Sequence, residues 1–223
     1  MITSNYLNLP IINYLKSALT ILFTFALTEI HAQFRSDYVF GVNLSTLTIK
    51  NNGVSYDPKA SVGFHFGVFY EFQFNKNFSL QPSFIFSAKG TDYKIDTLEV
   101  SIAPAYIEVP INVSFSFGSR VVKVSLFSGP YFAYAFGGYK MESGSVFKSI
   151  TYGSGKNHDL RPFDIGLNLG ASVKINRYQI SIQYGIGLAN IAPIRTSDTE
   201  MKNKVIGISI IRTSKSLSTT HGR

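Results

Sequence analysis

Apolar and polar residues alternate along much of the chain with a period of two. Between Val62 and Phe74 every second residue is apolar or aromatic, and the residues between them are small or polar apart from Phe69. Successive side chains of a pleated strand point to opposite faces, so this pattern predicts a β-strand with one apolar and one polar face. An α-helix could not separate the two sets of residues.

The same alternation recurs in other segments of the chain, and we count eight strands in all. The clearest copies lie at 78–86, 106–117, 163–175 and 178–188, and weaker copies lie at about 38–48, 121–136 and 204–212. The connections alternate between short and long. Short turn sequences occur at 75–77, 118–120 and 176–177, and longer polar stretches occur at 49–59, 89–99, 137–160 and 190–203. Short turns at one end and long loops at the other are typical of outer-membrane barrels, in which the short turns face the periplasm.

The polar face keeps the same phase from strand to strand. Its members include Glu71, Gln81, Glu108, Asn112, Lys123, Asp164, Asn168, Lys174 and Gln183. A membrane barrel turns its apolar face to lipid and keeps the polar face in the lumen. We therefore predict an all-β fold, an eight-stranded antiparallel up-and-down transmembrane β-barrel. The alternative left open is a soluble lipocalin-like barrel that binds an apolar ligand in an apolar lumen.

Charged residues in such a lumen must pair with one another. The interior of an eight-stranded barrel is just filled by side chains, and an unpaired buried charge is costly. We expect Glu71, Glu108 and Asp164 to pair with Lys123, Lys174 or a basic residue of a loop, and we predict that this network is structural.

Composition agrees with a membrane barrel and excludes several classes of site. Charged residues make up 15% of the chain, against about 25% in soluble domains. The absence of Cys excludes disulfides, thiolate metal sites and a Cys nucleophile. The net charge of +8 comes from scattered residues, which predicts no nucleic-acid binding. Basic residues near the phosphates of lipopolysaccharide are the simpler explanation of this charge.

The N-terminal segment has the pattern of a signal peptide. Lys16 precedes an apolar run at 18–27, and Ala32-Gln33 offers a cleavage site. The run is too short to span a bilayer but suits a signal-peptide core. We predict a signal peptide at 1–32, the barrel at 33–212 and a disordered polar tail at 213–223. A short membrane anchor that stays attached is the alternative.

We expect no catalytic residue, no metal and no cofactor. The His158-Asp159 pair beside Arg161 in the longest loop is the only candidate for a rim-site enzyme acting on lipid or peptide, and adjacency in sequence does not orient a His as a base. We expect His65 to form hydrogen bonds in the lumen instead. The spacing of the four His residues contains no metal motif.

Three segments of the chain resemble the PorT-like outer-membrane barrels common in Bacteroidetes. The strand at 106–113 is similar to that family's "Y-[IL]-E-[IV]-P" strand, 128–131 to its "G-P-Y" strand, and 163–171 to its "D-x-G-[LN]-x-x-G" strand. The resemblance covers about 38–211 and implies an eight-stranded outer-membrane barrel. Some members are similar to factors needed for secretion across the outer membrane, so envelope or secretion proteins are candidate partners, together with outer-membrane lipid and lipopolysaccharide.

The resemblance also implies structural roles for its motif residues, which are Tyr106, Glu108, Pro110, Gly129 and Pro130. We expect Glu108 to be the lumen-facing member of an ion pair. Pro110 and Gly129-Pro130 suggest a bulge or bend, because Pro cannot complete a strand ladder. We expect a monomer whose long loops, above all 137–160, carry any binding role. The chain departs from such barrels at its end, where Ile210-Ile211-Arg212 replaces the usual closing aromatic residue.

Overall fold

The computed structural model describes residues 33–51, 54–56, 58–95, 98–119, 121–142, 147–155, 157–193 and 199–213. The predicted signal peptide at 1–32 lies outside the described residues, and so does the predicted tail from residue 214 onward. Among the described residues there is no helix with the length and apolarity needed to cross a bilayer.

Eleven β-strands are present in the described residues. They are β1 (Gln33–Asn51), β2 (Val54–Tyr56), β3 (Lys59–Gln73), β4 (Phe78–Ala88), β5 (Thr91–Ile95), β6 (Leu98–Gly118), β7 (Val122–Glu142), β8 (Lys148–Ser149), β9 (Phe163–Ile175), β10 (Tyr178–Gly187) and β11 (Thr199–Arg212).

Eight long strands pair into a ring. In ring order they are β1, β3, β4, β6, β7, β9, β10 and β11, each antiparallel to the next, and β11 pairs back with β1. The predicted all-β, antiparallel, up-and-down arrangement is confirmed, and the ring contains the predicted number of strands. Because every strand of the ring has a partner on both sides, the ring has no free edge.

The three short strands were not predicted. β2, β5 and β8 lie in the segments expected to be polar loops, where the long strands also extend further than the sequence suggested. For example, β7 was expected to end near residue 136 but continues to Glu142. The walls of the ring therefore project beyond the alternating segments at the long-loop end.

The ring has a polar inside and an apolar outside. On β9 the inward side chains of Asp164 and Asn168 are 0% and 4% exposed, whereas the outward Leu167 and Leu169 are 48% and 63% exposed. A soluble barrel buries apolar residues inside and exposes polar ones. The lipocalin-like alternative is therefore wrong, because the observed distribution of side chains is the reverse of the one it needs.

The inward face becomes apolar toward the long-loop end. On β1, Val42 and Leu44 point outward and are exposed, but Leu47 and Ile49 point inward and are buried. On β6 the inward residues at that end are Val100 and a neighbouring isoleucine, both buried. The two faces thus exchange polarity along the strand, as expected where a barrel wall leaves lipid and enters water.

The prediction of a bulge at Pro110 and Gly129-Pro130 was wrong. β6 and β7 keep one register on both sides of these residues, since Pro110 pairs with Tyr131 and Val113 pairs with Ser128. The register shift lies between Ala105 and Tyr106 instead. The missing N–H of a proline removes a ladder hydrogen bond, but here it does not insert a residue into the strand.

Candidate functional site in the lumen

A buried lysine is the centre of the lumen's charged residues. Lys89 follows the end of β4 and is 4% exposed. Its Nζ lies 2.7 Å from Oε1 of Glu108 on β6 and 4.0 Å from Oδ2 of Asp164 on β9. One cation therefore faces two carboxylates from different strands. The expectation that Glu108 and Asp164 pair with a basic loop residue agrees with this geometry, and the residue is Lys89.

Two tyrosines and an asparagine complete the charged cluster, which we define as Lys89, Glu108, Asp164, Tyr106, Tyr131 and Asn203. The ammonium of Lys89 lies 4.9 Å from the centroid of each tyrosine ring, a distance at which the ring face attracts a cation. The Tyr131 hydroxyl and Asn203 Nδ2 both donate to Asp164 Oδ2, at 3.0 and 2.9 Å. These donors partly replace the water that the buried carboxylate has lost.

Glycine on β9 makes room for this arrangement. A Cβ added to Gly166 would lie 2.4 Å from Cε1 of Tyr131, well inside van der Waals contact. Tyr131 and Gly166 are register partners across β7 and β9, so the tyrosine ring lies over a backbone without a side chain. The same packing recurs one layer away, where the Phe127 ring lies over Gly170.

The three segments that resemble the PorT-like motifs meet in the charged cluster. The first segment supplies Tyr106 and Glu108, the second supplies Tyr131, and the third supplies Asp164. Each comes from a different strand of the ring. These four residues therefore meet around Lys89 inside the barrel, which gives a physical reason for their chemical types.

A small cavity lined by both polar and apolar side chains lies beside the cluster. It has a volume of about 60 Å³ and is lined by residues that include Lys89, Glu108 and His65. On this measure one water needs about 10–15 Å³, so the cavity has room for a few water molecules. His65 contacts Asn43 Oδ1 through Nδ1 at 2.8 Å and Ser209 Oγ through Nε2 at 2.7 Å. The prediction that His65 forms hydrogen bonds in the lumen is confirmed.

An apolar cap closes the lumen at the long-loop end. We define the cap as the buried cluster Leu47, Ile49, Val100, Ile102, Ile150, Leu160 and Ile191. The first four residues come from β1 and β6, and the last three come from the connections before β9 and β11. The loops therefore fold inward and fill the mouth of the ring.

Polar contacts hold the loop before β9 against the wall. Asp159 accepts hydrogen bonds from Lys140 Nζ and from the backbone N–H and hydroxyl of Thr151. Burial acts to raise the pKa of Asp159, but these hydrogen bonds outweigh it and hold the pKa below its usual range. The Tyr152 hydroxyl donates to the carbonyl of Gly137 at 2.7 Å, and burial raises the pKa of this phenol.

The other residues of the predicted network lie away from the charged cluster. Glu71 accepts hydrogen bonds from Ser79 and Gln81 near the short-turn end. Lys123 and Lys174 are register partners across β7 and β9, close to the same end. The network predicted from the sequence thus combined residues of more than one site. Residues that share the inward face of the sheet can still lie at different heights along the barrel axis.

Nothing in the described part of the chain forms a metal cluster, since no group of three or more His, Asp or Glu residues could hold an ion there. His158 Nδ1 lies 3.3 Å from the carbonyl oxygen of Gly155. The carboxylate of Asp159 accepts hydrogen bonds from Lys140 and Thr151.

The family of the chain follows from a comparison with protein-family models. The model described as "Outer membrane protein beta-barrel domain" matches residues 31–192. This chain belongs to that family, and its location is the outer membrane. No curated protein sequence matches it.

Solved structures of other outer-membrane proteins are similar at low identity. Ail of Yersinia pestis in complex with the heparin analogue sucrose octasulfate is 16% identical, with 80% of this chain and 98% of that chain covered and a TM-score of 0.38. Neisserial surface protein A is 8% identical, with 79% and 97% covered and a TM-score of 0.42. OprG from Pseudomonas aeruginosa is 11% identical, with 81% and 92% covered and a TM-score of 0.45. These similarities carry no argument about activity.

Proposed function

We propose that this protein is an eight-stranded transmembrane barrel with a closed lumen, and that it serves as a non-enzymatic anchor that presents its loop end to envelope or secretion proteins. The filled lumen carries this proposal. The cap, the charged cluster and a cavity of about 60 Å³ follow one another inside the ring. The described residues fill the lumen at these levels, and we expect them to block the passage of solutes, so we do not propose a transport role.

A secretion-linked role is the finer part of the proposal and rests on the PorT-like resemblance. Four residues of the segments that carry the resemblance, Tyr106, Glu108, Tyr131 and Asp164, lie in the buried charged cluster and do not face a partner protein. Partners would therefore bind the loops.

The absence of catalysis is also proposed. It is supported by the contacts of Asp159, whose carboxylate fastens the loop to Lys140 and Thr151.

Conductance across a planar bilayer tests the closed lumen. We expect the purified barrel to give no steady current above the bare bilayer, with a general porin in the same bilayer as the positive control. Heat-dependent mobility on a gel, which a closed barrel shows because its hydrogen bonds are internal, confirms that the inserted protein is folded. A stable open conductance from folded protein would refute the proposal.

Cysteine labelling tests which end faces the cell exterior. The chain has no Cys, so a single introduced cysteine is the only thiol. Ser154→Cys lies in the loop before β9 and Ser119→Cys in the short turn before β7. We expect a membrane-impermeant maleimide to label the first variant in whole cells and the second only after permeabilisation. The opposite pattern would place the short turns outside and contradict the proposed orientation.

A further inference from the structure

The outward apolar rows of β1 and β11 end at the same level near the loops, and the row of β10 continues beyond that level with Ile186 and Leu188. On β11 the row consists of Ile206, Ile208 and Ile210, and all three are exposed. On β1 the corresponding row ends at Leu44, which pairs with Ile206. Exposed apolar rows of this kind are the lipid-facing surface of a membrane barrel.

Lysines continue the rows directly beyond this level. Lys204 follows Ile206 on the outward side of β11 and pairs with Ile186 of β10, and Lys202 follows in turn. Lys50 lies on the neighbouring strand β1, opposite Glu200. We call Lys50, Lys202 and Lys204 the seam lysines, because they lie where the first and last strands of the ring pair.

The seam lysines carry an excess of positive charge. Among the described residues, Glu200 is the one carboxylate in this group, and it forms an ion pair with Lys202. Three lysines and one glutamate leave a formal charge of +2 on this surface. The hairpin of β5 and β6 differs, because its Lys94 and Glu99 neutralise each other one to one.

The position of this charge restricts which anions can bind to the seam lysines. An anion that binds here must lie at the boundary between the apolar belt and water, where the headgroups of the surrounding lipid are found. Lysine suits this boundary, because its alkyl stem packs on apolar surface while the ammonium reaches the polar layer. Phosphate monoesters fixed to a lipid satisfy both the charge and the position.

We propose that the seam lysines form a binding site for the phosphate groups of a phosphorylated glycolipid in the outer leaflet. The ligand is the lipid rather than a free polyanion, since the lysines prolong lipid-facing rows instead of lining a cavity. The site rests on the proposed orientation, with the loops outside, for its location in the cell. Binding in a reconstituted bilayer does not depend on that orientation and tests the site alone.

Retention of lipid by the folded protein tests the proposal. The full-length barrel is placed in nanodiscs that contain equal amounts of diphosphorylated lipid A and its dephosphorylated form, and bound lipid is counted by native mass spectrometry. We expect the wild type to retain the phosphorylated form preferentially. Each lysine at an anionic surface contributes roughly fivefold, so Lys50→Gln, Lys202→Gln and Lys204→Gln together should reduce that preference by at least about tenfold.

Two further variants sharpen the result. Glu200→Gln removes the carboxylate that competes with phosphate, so it should increase retention of the phosphorylated lipid. Lys94→Gln is the matched control, since it removes a lysine at the loop end outside the seam and should change nothing. Heat-dependent gel mobility checks that every variant is folded.

Three outcomes would overturn the proposal. The first is equal retention of the two lipids by the wild type, and the second is a triple variant that behaves like the wild type. The third is displacement of the lipid by millimolar inorganic phosphate, because the site would then recognise free anions and not a lipid headgroup.

Discussion

Replacing Lys89 by Met isolates the charge of the buried cluster from its packing. Methionine has a similar unbranched length, so it can fill the space between Tyr106 and Tyr131. What disappears is the ammonium that lies 2.7 Å from Glu108 and 4.0 Å from Asp164. Two buried carboxylates then face each other without a cation.

The magnitude follows from the burial of the partners. Breaking a buried ion pair by removing one member costs about 3–5 kcal/mol. Asp164 is fully buried and Lys89 nearly so, which argues for the full value. Water in the adjacent cavity can solvate Glu108 in part, which lowers the cost. We therefore expect Lys89→Met to reduce the free energy of unfolding by about 3 kcal/mol.

Urea unfolding in lipid vesicles measures this change. The chain has no Trp, so far-UV circular dichroism and gel mobility follow the transition. Lys94→Met is the control, because the Lys94–Glu99 pair is exposed and exposed pairs contribute about 0–1 kcal/mol. Adding Glu108→Gln and Asp164→Asn to Lys89→Met removes the orphaned charges and should recover more than half of the loss. The reasoning fails if Lys89→Met unfolds like the control, or if the triple variant is less stable than the single one.

Three further predictions concern β9 and the loop before it. Gly166→Ala should destabilise the barrel by at least about 1–3 kcal/mol, because the new Cβ meets the Tyr131 ring; urea unfolding unchanged from wild type would contradict this. Because the pKa of Asp159 is lowered, its carboxylate is fully ionised and keeps its hydrogen bonds at pH values above the ordinary pKa of Asp. These hydrogen bonds are lost as the pH falls through the lowered pKa. The NMR shift of the Thr151 amide should therefore titrate with a midpoint below 3.8, the ordinary pKa of Asp. A higher midpoint, or the same titration in Asp159→Asn, would refute the assignment. His158→Ala should leave any lipid- or peptide-cleaving activity of the purified protein at its background level, and loss of a measurable activity would favour the rim-site enzyme.

The strands could be predicted where one physical rule holds over the whole segment. Within the membrane the outward residues are apolar and most inward residues are polar, with Val39, Phe69, Ile85 and Ile211 as a buried apolar cluster among them, so the period of two is visible in the sequence. Toward the loops the rule reverses, and Leu47 and Ile49 are inward while Lys50 is outward. In the sequence this reversal interrupts the alternation of apolar and polar residues. The extended walls and β2, β5 and β8 were interpreted as loops for this reason.

The charged cluster could be predicted in part. Glu108 and Asp164 stand on the polar face of clear strands, so their inward direction followed from alternation. Lys89 lies just after a strand, where periodicity no longer fixes the direction of a side chain. Asn203 was placed at the end of a loop for the same reason. Heights along the barrel depend on strand register, which the sequence alone does not reveal, and this explains why Lys123 and Lys174 were grouped with Glu108 and Asp164.

The cap has a consequence for the order of folding. Its residues come from β1, from β6 and from the connections before β9 and β11, so it unites segments that are distant along the chain. We expect these segments to come together only after the last strand has paired with the first. Cap formation is therefore a late step that follows closure of the ring. A barrel whose first and last strands have not paired would expose the apolar loop residues of the cap to the chaperones and proteases of the envelope. Quality control could in this way distinguish a finished barrel from an unfinished one.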